Sequence, residues 1–321
     1  MKKIAVFTSG GDAPGMNACI RAVVRTATYH QIETVGIMRG YEGMIAGEFR
    51  PLRSRDMSNT IQRGGTILKS SRSKDFKTSE GRRKAFEHLQ AAGIEGVVAI
   101  GGDGTFTGAH IFGQEFDMPF VGAPGTIDND IYGTDRTIGY DTAINTALDA
   151  IDKIRDTADS HHRAFFVEVM GRNSGYIALQ TGIAGGAEMV IVPDTDPQTV
   201  ADALEEGLNR GKTSLIVIVA EGKTEGRAEA FVKAIRPRLP IFDLRITVLG
   251  HIQRGGSPTA ADRVLGSWLG MAAVEALLAG RRDVMVGIMN DELVHTSFAD
   301  AIQKKKALEE DLLRAVPILS I

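Results

Sequence analysis

KIAVFTSGGDAPGMN, residues 3–17, carries a β-branched apolar run into a pair of glycines and then into the start of a helix. Lys3 to Thr8 is short and apolar on both faces, as a strand must be when helices cover its sheet on each side. Gly10 and Gly11 remove side chains where the backbone turns, and from Met16 to His30 the apolar residues fall at helical spacing. Strand, glycine turn and helix together make the repeating unit of an α/β fold.

That unit recurs. Runs at 33–38, 96–101, 120–124, 164–170, 189–193, 214–220, 245–250 and 284–289 read as buried strands, and 79–92, 141–156, 197–209 and 260–278 have helical periodicity. The order predicts α/β layers with right-handed crossovers, and 321 residues are enough for two domains. No Pro/Ser-rich tether separates two halves. Glycines collect at strand ends (Gly101, Gly102, Gly122, Gly125, Gly171, Gly250), which is where open α/β sheets bind ligands.

Composition narrows the partners. With 43% hydrophobic and 24% charged residues the chain reads as an ordinary globular protein, and a net charge of -3 argues against nucleic acid or an anionic membrane as partner. An anionic substrate must then be met by locally placed arginines. The longest strongly apolar run, LIVIVA at 215–220, falls far short of the roughly 20 residues of a membrane span. The apolar start ends at Ser-Gly-Gly-Asp, too short for a signal peptide, so a cytoplasmic location is expected. Cys19 is the only cysteine, which leaves it as a small buried residue on a helix.

Three glycine-rich turns suit phosphate. TSGGDAPGMN places exposed amides at a helix start, where the dipole favours an anion. AIGGDGTFTG (99–108) lets amides beside Gly102 and Gly104 approach phosphate oxygens, with Asp103 as a hard oxygen ligand for Mg²⁺. It lacks the dinucleotide fingerprint, because Thr107 stands where glycine is required. Gly211-Lys212-Thr213 and Gly222-Lys223-Thr224 are not P-loops, since Glu206 and Val217 occupy the first glycine position.

In VGAPGTIDNDIYGTD (121–135), Gly125 and Thr126 offer an amide and a hydroxyl. Asp128 and Asp130 are alternate residues of an extended turn, one facing a substrate hydroxyl as general base and the other facing solvent or metal. A solvated loop is the competing reading. Arg163, Arg172, Arg245, His251 and Arg254 lie beside glycines at strand ends and suit bidentate phosphate recognition. Arg21 and Arg25 form one basic helix face, and Lys304 to Lys306 read as a solvated helix face. His161-His162 lacks a matched third zinc ligand. The pentapeptide IQRGG occurs at 61–65 and at 252–256 without making a repeat period.

Taken together, TSGGDAPGMN, GGDGT, PGTIDND, VEVMGR and LGHIQRGGSP resemble the bacterial ATP-dependent 6-phosphofructokinases, in order and spacing along essentially the whole chain. The resemblance implies two three-layer α/β/α domains with mostly parallel sheets and the active site in the cleft between them. A larger ATP-binding domain would comprise 1–138 and 252–305, and a smaller fructose 6-phosphate domain 139–251 and 306–321. It implies MgATP-dependent phosphorylation of the sugar's 1-hydroxyl. Gly11, Arg72, Ser73, Gly102, Asp103, Gly104 and Thr105 would line the ATP site, with Asp103 holding Mg²⁺. Thr126 and Asp128 would meet the sugar, Asp128 as base. Met170, Gly171, Arg172, Glu221, His251 and Arg254 would grip the sugar phosphate, and Arg172 would also face the transferred group. Arg163 and Arg245 would be supplied to a neighbouring subunit of a homotetramer.

Pyrophosphate-dependent relatives usually carry Asp at position 104 and Lys at 125, so Gly104 and Gly125 imply ATP as donor. Arg21, Arg25, Arg155, Gly186, Glu188 and Lys212 match an effector pocket for ADP or phosphoenolpyruvate. Ser54, Asn59, Thr213 and Ser214 depart from it, so a weakened or altered effector response is expected. Two rival readings remain: a kinase of the NAD or lipid type built on GGDGT, and a non-catalytic sugar-phosphate or nucleotide-binding subunit. The first has no use for PGTIDND and the arginines, the second none for a base.

Overall fold

The computed structural model describes residues 1–159, 163–222, 226–239 and 243–320. In chain order the elements begin β1 (Lys3–Thr8), α1 (Met16–Tyr29), β2 (Glu33–Ile37), α2 (Gly40–Ala46), β3 (Phe49–Leu52), α3 (Ser79–Ala91), β4 (Gly96–Gly101), α4 (Asp103–Phe116) and β5 (Phe120–Pro124). They continue with α5 (Tyr140–Asp159), β6 (Arg163–Val169), α6 (Tyr176–Ala184), β7 (Met189–Ile191), α7 (Pro197–Asn209), β8 (Leu215–Ala220), α8 (Arg227–Ile235) and β9 (Asp243–Val248). The last are α9 (Ala260–Leu278), β10 (Val284–Met289), β11 (Glu292–Ser297), α10 (Phe298–Gln303) and α11 (Glu310–Leu319).

The chain divides into two compact units, one of Met1–Ile127, Ile131–Thr142 and Arg254–Lys306, the other of Asp128–Asp130, Ala143–Gln253 and Ala307–Ile321. The first holds a seven-stranded sheet in the order β11-β10-β5-β4-β1-β2-β3. Its five inner strands are parallel; β3 and β11 are antiparallel at the two edges. Alternate residues of the strands face opposite layers. Ala5, Phe7, Val97, Ala99 and Phe120 pack with Phe76, Phe106, Phe112 and Phe298 in one core.

On the other face α9 lies against α1, so close that a Cβ on Gly270 would meet the Ala22 Cβ at 2.9 Å and one on Gly266 the Gly15 carbonyl oxygen at 2.8 Å. Cys19 is fully buried there, and burial pushes its thiol far up, as expected for an inert packing residue.

The second unit holds four parallel strands, β7-β8-β6-β9. Phe166, Leu215, Val217 and Val219 pack against Val200 and Leu204 of α7 and Phe231 and Val232 of α8. Against expectation, Lys304 to Lys306 are not on a helix face: α10 ends at Gln303, because Lys304 has turned to an extended conformation. There Lys304 lies over the Tyr132 ring and Lys306 Nζ donates to the Asp135 carbonyl.

Asp262, at the start of α9, is buried and accepts from the Gly139 and Thr142 N–H groups, each at 2.8 Å, and from the Thr142 hydroxyl. It thereby satisfies amides that the first turn of α5 leaves open. Burial pushes its pKa up to about 6; the hydrogen bonds oppose the shift and nearby Asp141 adds to it. The native state therefore holds this proton more tightly than the unfolded chain, where an aspartate titrates near ~3.9. The group's contribution is fully present below about pH 4 and is lost as pH rises through about 6, by at most ~3 kcal/mol. Between those pH values, calorimetry should show the melting temperature of the parent protein falling relative to that of Asp262→Asn.

Candidate active site

In the first unit, Ser9 at the end of β1 bonds the Ile100 carbonyl of β4, so the turns after the two strands lie side by side. Gly10 has φ 84, a left-handed conformation that favours glycine. Gly11 is glycine for a different reason. A Cβ there would fall onto the guanidinium of Arg254, within 3.0 Å of its Cζ, and Arg254 Nη1 donates to the Asp12 carbonyl at 3.2 Å. The residues expected at the nucleotide and at the sugar phosphate thus touch at this turn. The second IQRGG copy, which contains Arg254, also meets the first: a Cβ on Gly64 would run into the Gly256 backbone, and Ser257 donates to the Gln62 carbonyl.

GGDGT is not an open loop. Gly102 caps α4, and Asp103 is its first residue, so the amides of Asp103, Gly104 and Thr105 form the N-terminus of a 14-residue helix. Gly104 is exposed and a Cβ there would meet nothing within 4 Å. Gly125 is different: it is buried, and its Cβ would lie 3.0 Å from Met16 Cε and 3.1 Å from Ile100 Cγ2. Room for a nucleotide is therefore evident at 104 and not at 125.

The exposed carboxylate of Asp103 and an incoming phosphate would share one helix N-terminus, and a divalent cation relieves their repulsion. Among the described residues no cluster of three acidic, His or Cys side chains forms a metal cage. The exposed Asp103 carboxylate at the first position of α4 fits Mg²⁺, which characteristically binds through one or two carboxylates together with substrate phosphates.

Arg72 is exposed, and Ser73 Oγ accepts the Phe76 N–H at 3.2 Å. Their loop is tied to α4 by residues that the sequence did not flag. The Tyr41 hydroxyl donates to the Thr105 carbonyl, and its ring stacks on Phe76 at 3.9 Å. Ser71 donates to Glu42, which Arg39 also holds, and Arg39 bonds Glu48 as well. The Arg39/Glu42 spacing at i, i+3 is the one sequence signal that pointed there.

In the second unit Asp128 is 3% exposed, which removes the solvated-loop reading. Asn129 has φ 51, so the stretch is not the extended turn expected, and Asp130 is half-buried. Arg172 Nε lies 3.6 Å from Asp128 Oδ2, while 59% of the arginine side chain stays exposed. Arg172 itself is left-handed at φ 49 after Gly171 at φ 123. Its N–H donates to Glu221 Oε1 at 2.9 Å, and the Gly222 N–H returns to its carbonyl at 3.1 Å. The Ser174 hydroxyl reaches the carbonyls of Asp128 and Gly171, both at 2.8 Å. A buried carboxylate thus faces an arginine whose side chain is largely exposed, a pair suited to accepting a proton beside a developing anion.

Met170 and His251 belong to this unit, His251 exposed on a one-turn helix, Gly250–Arg254. In the first unit Thr126 is half-buried, its carbonyl accepting the Thr137 hydroxyl at 2.6 Å. Arg163 and Arg245 do not join Arg172. They share Asp243 at 3.5 and 2.7 Å, and Arg163 begins β6 while Arg172 follows its end, roughly 20 Å along a strand. The Arg245 hydrogen bond holds Asp243 below the usual carboxylate range.

Of the expected effector residues, Arg155 donates to the Gly185 and Gly186 carbonyls, and Lys212 pairs with Glu188 at 3.4 Å while donating to the Ser320 carbonyl. Arg21 and Arg25 share one stretch of α1; partial burial, then the neighbouring charge of Arg25, lowers the pKa of Arg21. His161, His162, Lys223 and Thr224 lie outside the described residues.

Residues 3–277 match the family described as phosphofructokinase. The chain is 61% identical over 315 residues to an ATP-dependent 6-phosphofructokinase of Cytophaga hutchinsonii, covering 98% of this chain and 96% of that one. It is 60% identical over 323 residues to ATP-dependent 6-phosphofructokinase 1 of Thermus thermophilus, covering all of both. Among solved structures, phosphofructokinase from Saccharomyces cerevisiae superposes with a TM-score of 0.89 at 33% identity; the match takes in all of this chain and 47% of the yeast one. The chain thus spans about half the length of its yeast counterpart. A pyrophosphate-dependent phosphofructokinase from Marinobacter aquaeolei, at 23% identity and a TM-score of 0.84 over 98% of this chain and 91% of that one, shares the fold. None of these names carries support for an altered effector response. An end-to-end match to bacterial relatives of equal length, on a fold shared with yeast, places the chain in the phosphofructokinase family.

Proposed function

We propose that the protein transfers the terminal phosphoryl group of ATP to the 1-hydroxyl of fructose 6-phosphate, giving the 1,6-bisphosphate and ADP in glycolysis. The observation that carries this reading is the buried Asp128 beside the exposed head of Arg172. Asp128 takes the proton of the sugar hydroxyl as its oxygen bonds to phosphorus. The bond from phosphorus to the bridging oxygen breaks, and Arg172 offsets the negative charge spread over the transferred group.

The first unit binds the nucleotide through Gly11, Arg72, Ser73 and the amides of Gly102 to Thr105. Fructose 6-phosphate is bound by Thr126, Met170, Gly171, Arg172, Glu221, His251 and Arg254. Asp103 holds the magnesium of MgATP, which when bound neutralises the phosphate oxygens. Arg163 and Arg245, remote from their own Arg172 along β6, are supplied to the site of another copy in a homotetramer. Arg21, Arg25, Arg155, Gly186, Glu188 and Lys212 serve an effector site for an anion such as ADP or phosphoenolpyruvate. The enzyme works in the cytoplasm, as expected of a glycolytic kinase; among the described residues no helix is long and apolar enough to cross a membrane.

A coupled assay of fructose 1,6-bisphosphate formation tests the reading. ATP with magnesium should support turnover and pyrophosphate should not. Faster turnover with pyrophosphate would overturn the choice of donor, and no bisphosphate with either donor would overturn the reaction.

A further inference from the structure

Gln253 is fully buried on the one-turn helix Gly250–Arg254, in the second IQRGG copy, and has no part in the site described so far. Its Oε1 accepts the Met170 N–H at 2.8 Å. Its Nε2 is buried and has no hydrogen-bond partner among the described residues. An apolar side chain of the same length would avoid that unmade donor, so packing alone does not account for a glutamine. The acceptor half is what this position uses. An amide supplies it at any pH without placing a charge in a fully buried position, as an ionised glutamate would.

The bond has a clear recipient. After Met170 come two residues with positive φ, Gly171 and Arg172. A non-glycine held left-handed is strained and persists only where its surroundings fix it. On the far side the turn is fixed by Glu221 and Gly222. On the near side Gln253 reaches Met170 from the same short helix that carries His251.

We propose that Gln253 is a positioning residue that fixes the 170–172 turn, keeps Arg172 beside Asp128 and couples that turn to His251. The inference rests on the roles assigned above to Asp128 and Arg172.

Gln253→Met removes both polar atoms at similar length. Hydrogen–deuterium exchange resolved to the Met170 amide, read without substrate, should become roughly tenfold faster. The kcat/KM for fructose 6-phosphate should fall roughly 10–100-fold while KM for ATP stays within about twofold. Burial disfavours the charged form of a carboxyl, so Gln253→Glu keeps an uncharged acceptor in its protonated form; it should keep the Met170 amide protected and recover most of the lost efficiency. Unchanged protection in Gln253→Met overturns the proposal. So does a loss shared equally by ATP and the sugar phosphate, or a Glu variant no better than the Met variant.

If Gln253→Met does not fold, Gln253→Glu decides: an unprotected Met170 amide, or a protected one with the sugar-phosphate efficiency lost, overturns the role. Because exchange is measured on the free protein, failure of this role is distinct from failure of the proposed reaction, which would show as parent protein inactive toward fructose 6-phosphate.

Discussion

Asp128→Asn is expected to lower kcat by about 10²–10⁴-fold, the usual contribution of a positioned general base. The substitution keeps the shape of the side chain and removes its capacity to take a proton. Fructose 6-phosphate should still bind, since the backbone around residue 128 is fixed independently by the Ser174 bond to its carbonyl. Steady-state kinetics paired with calorimetric titration of the sugar phosphate separate the two effects. A variant that turns over within a few-fold of the parent would remove Asp128 from its role, whatever its affinity for sugar.

Arg172→Ala should cost roughly 10³-fold in kcat/KM, comparable to loss of other arginines that face a transferred phosphoryl group. Two consequences combine there. The transferred group loses a cation with several donors, and the buried carboxylate of Asp128 loses its neighbour at 3.6 Å. Arg172→Lys should restore little, because lysine presents a point charge and not a planar fork. Full activity in the Lys variant would mean that charge alone matters at this position. A loss confined to KM for the sugar phosphate would restrict Arg172 to binding.

The central strands were legible because a parallel strand covered on both faces is a continuous apolar run, and β1, β4, β5 and β10 lie where such runs predict. The edge strands were not. β3 is Phe-Arg-Pro-Leu and β11 is Glu-Leu-Val-His-Thr-Ser, each mixed in polarity as an antiparallel border strand with an open side can be. Helix α4 was hidden by its own glycines, and one of these has a purpose: a Cβ on Gly108 would strike the Tyr41 ring at 2.8 Å. Glycine at that position lets Tyr41 approach the helix that carries Asp103.

The same contrast runs through the candidate site. Asp128 and Arg172 were recognisable by residue type and neighbouring glycines, Glu221 only through the resemblance to the phosphofructokinases, and they come together. Arg163 and Arg245 have the same residue type and do not, because one strand separates the two ends of β6. Tyr41, Glu42 and Gln253 gave little or no signal, since each acts through another residue's backbone or side chain.

The discontinuous first unit has a consequence for synthesis. β10 and β11 form a hairpin around Asn290 and Asp291, both at positive φ, so this pair is local and quick to form. Its partner β5 left the ribosome long before. Translation from residue 124, the end of β5, to residue 289, the end of β10, takes roughly 8–33 s. For that interval the exposed border of β5 has no strand of its own to add, and the nascent chain must keep it from pairing with other polypeptides. That border stays open until β10 emerges, after α9.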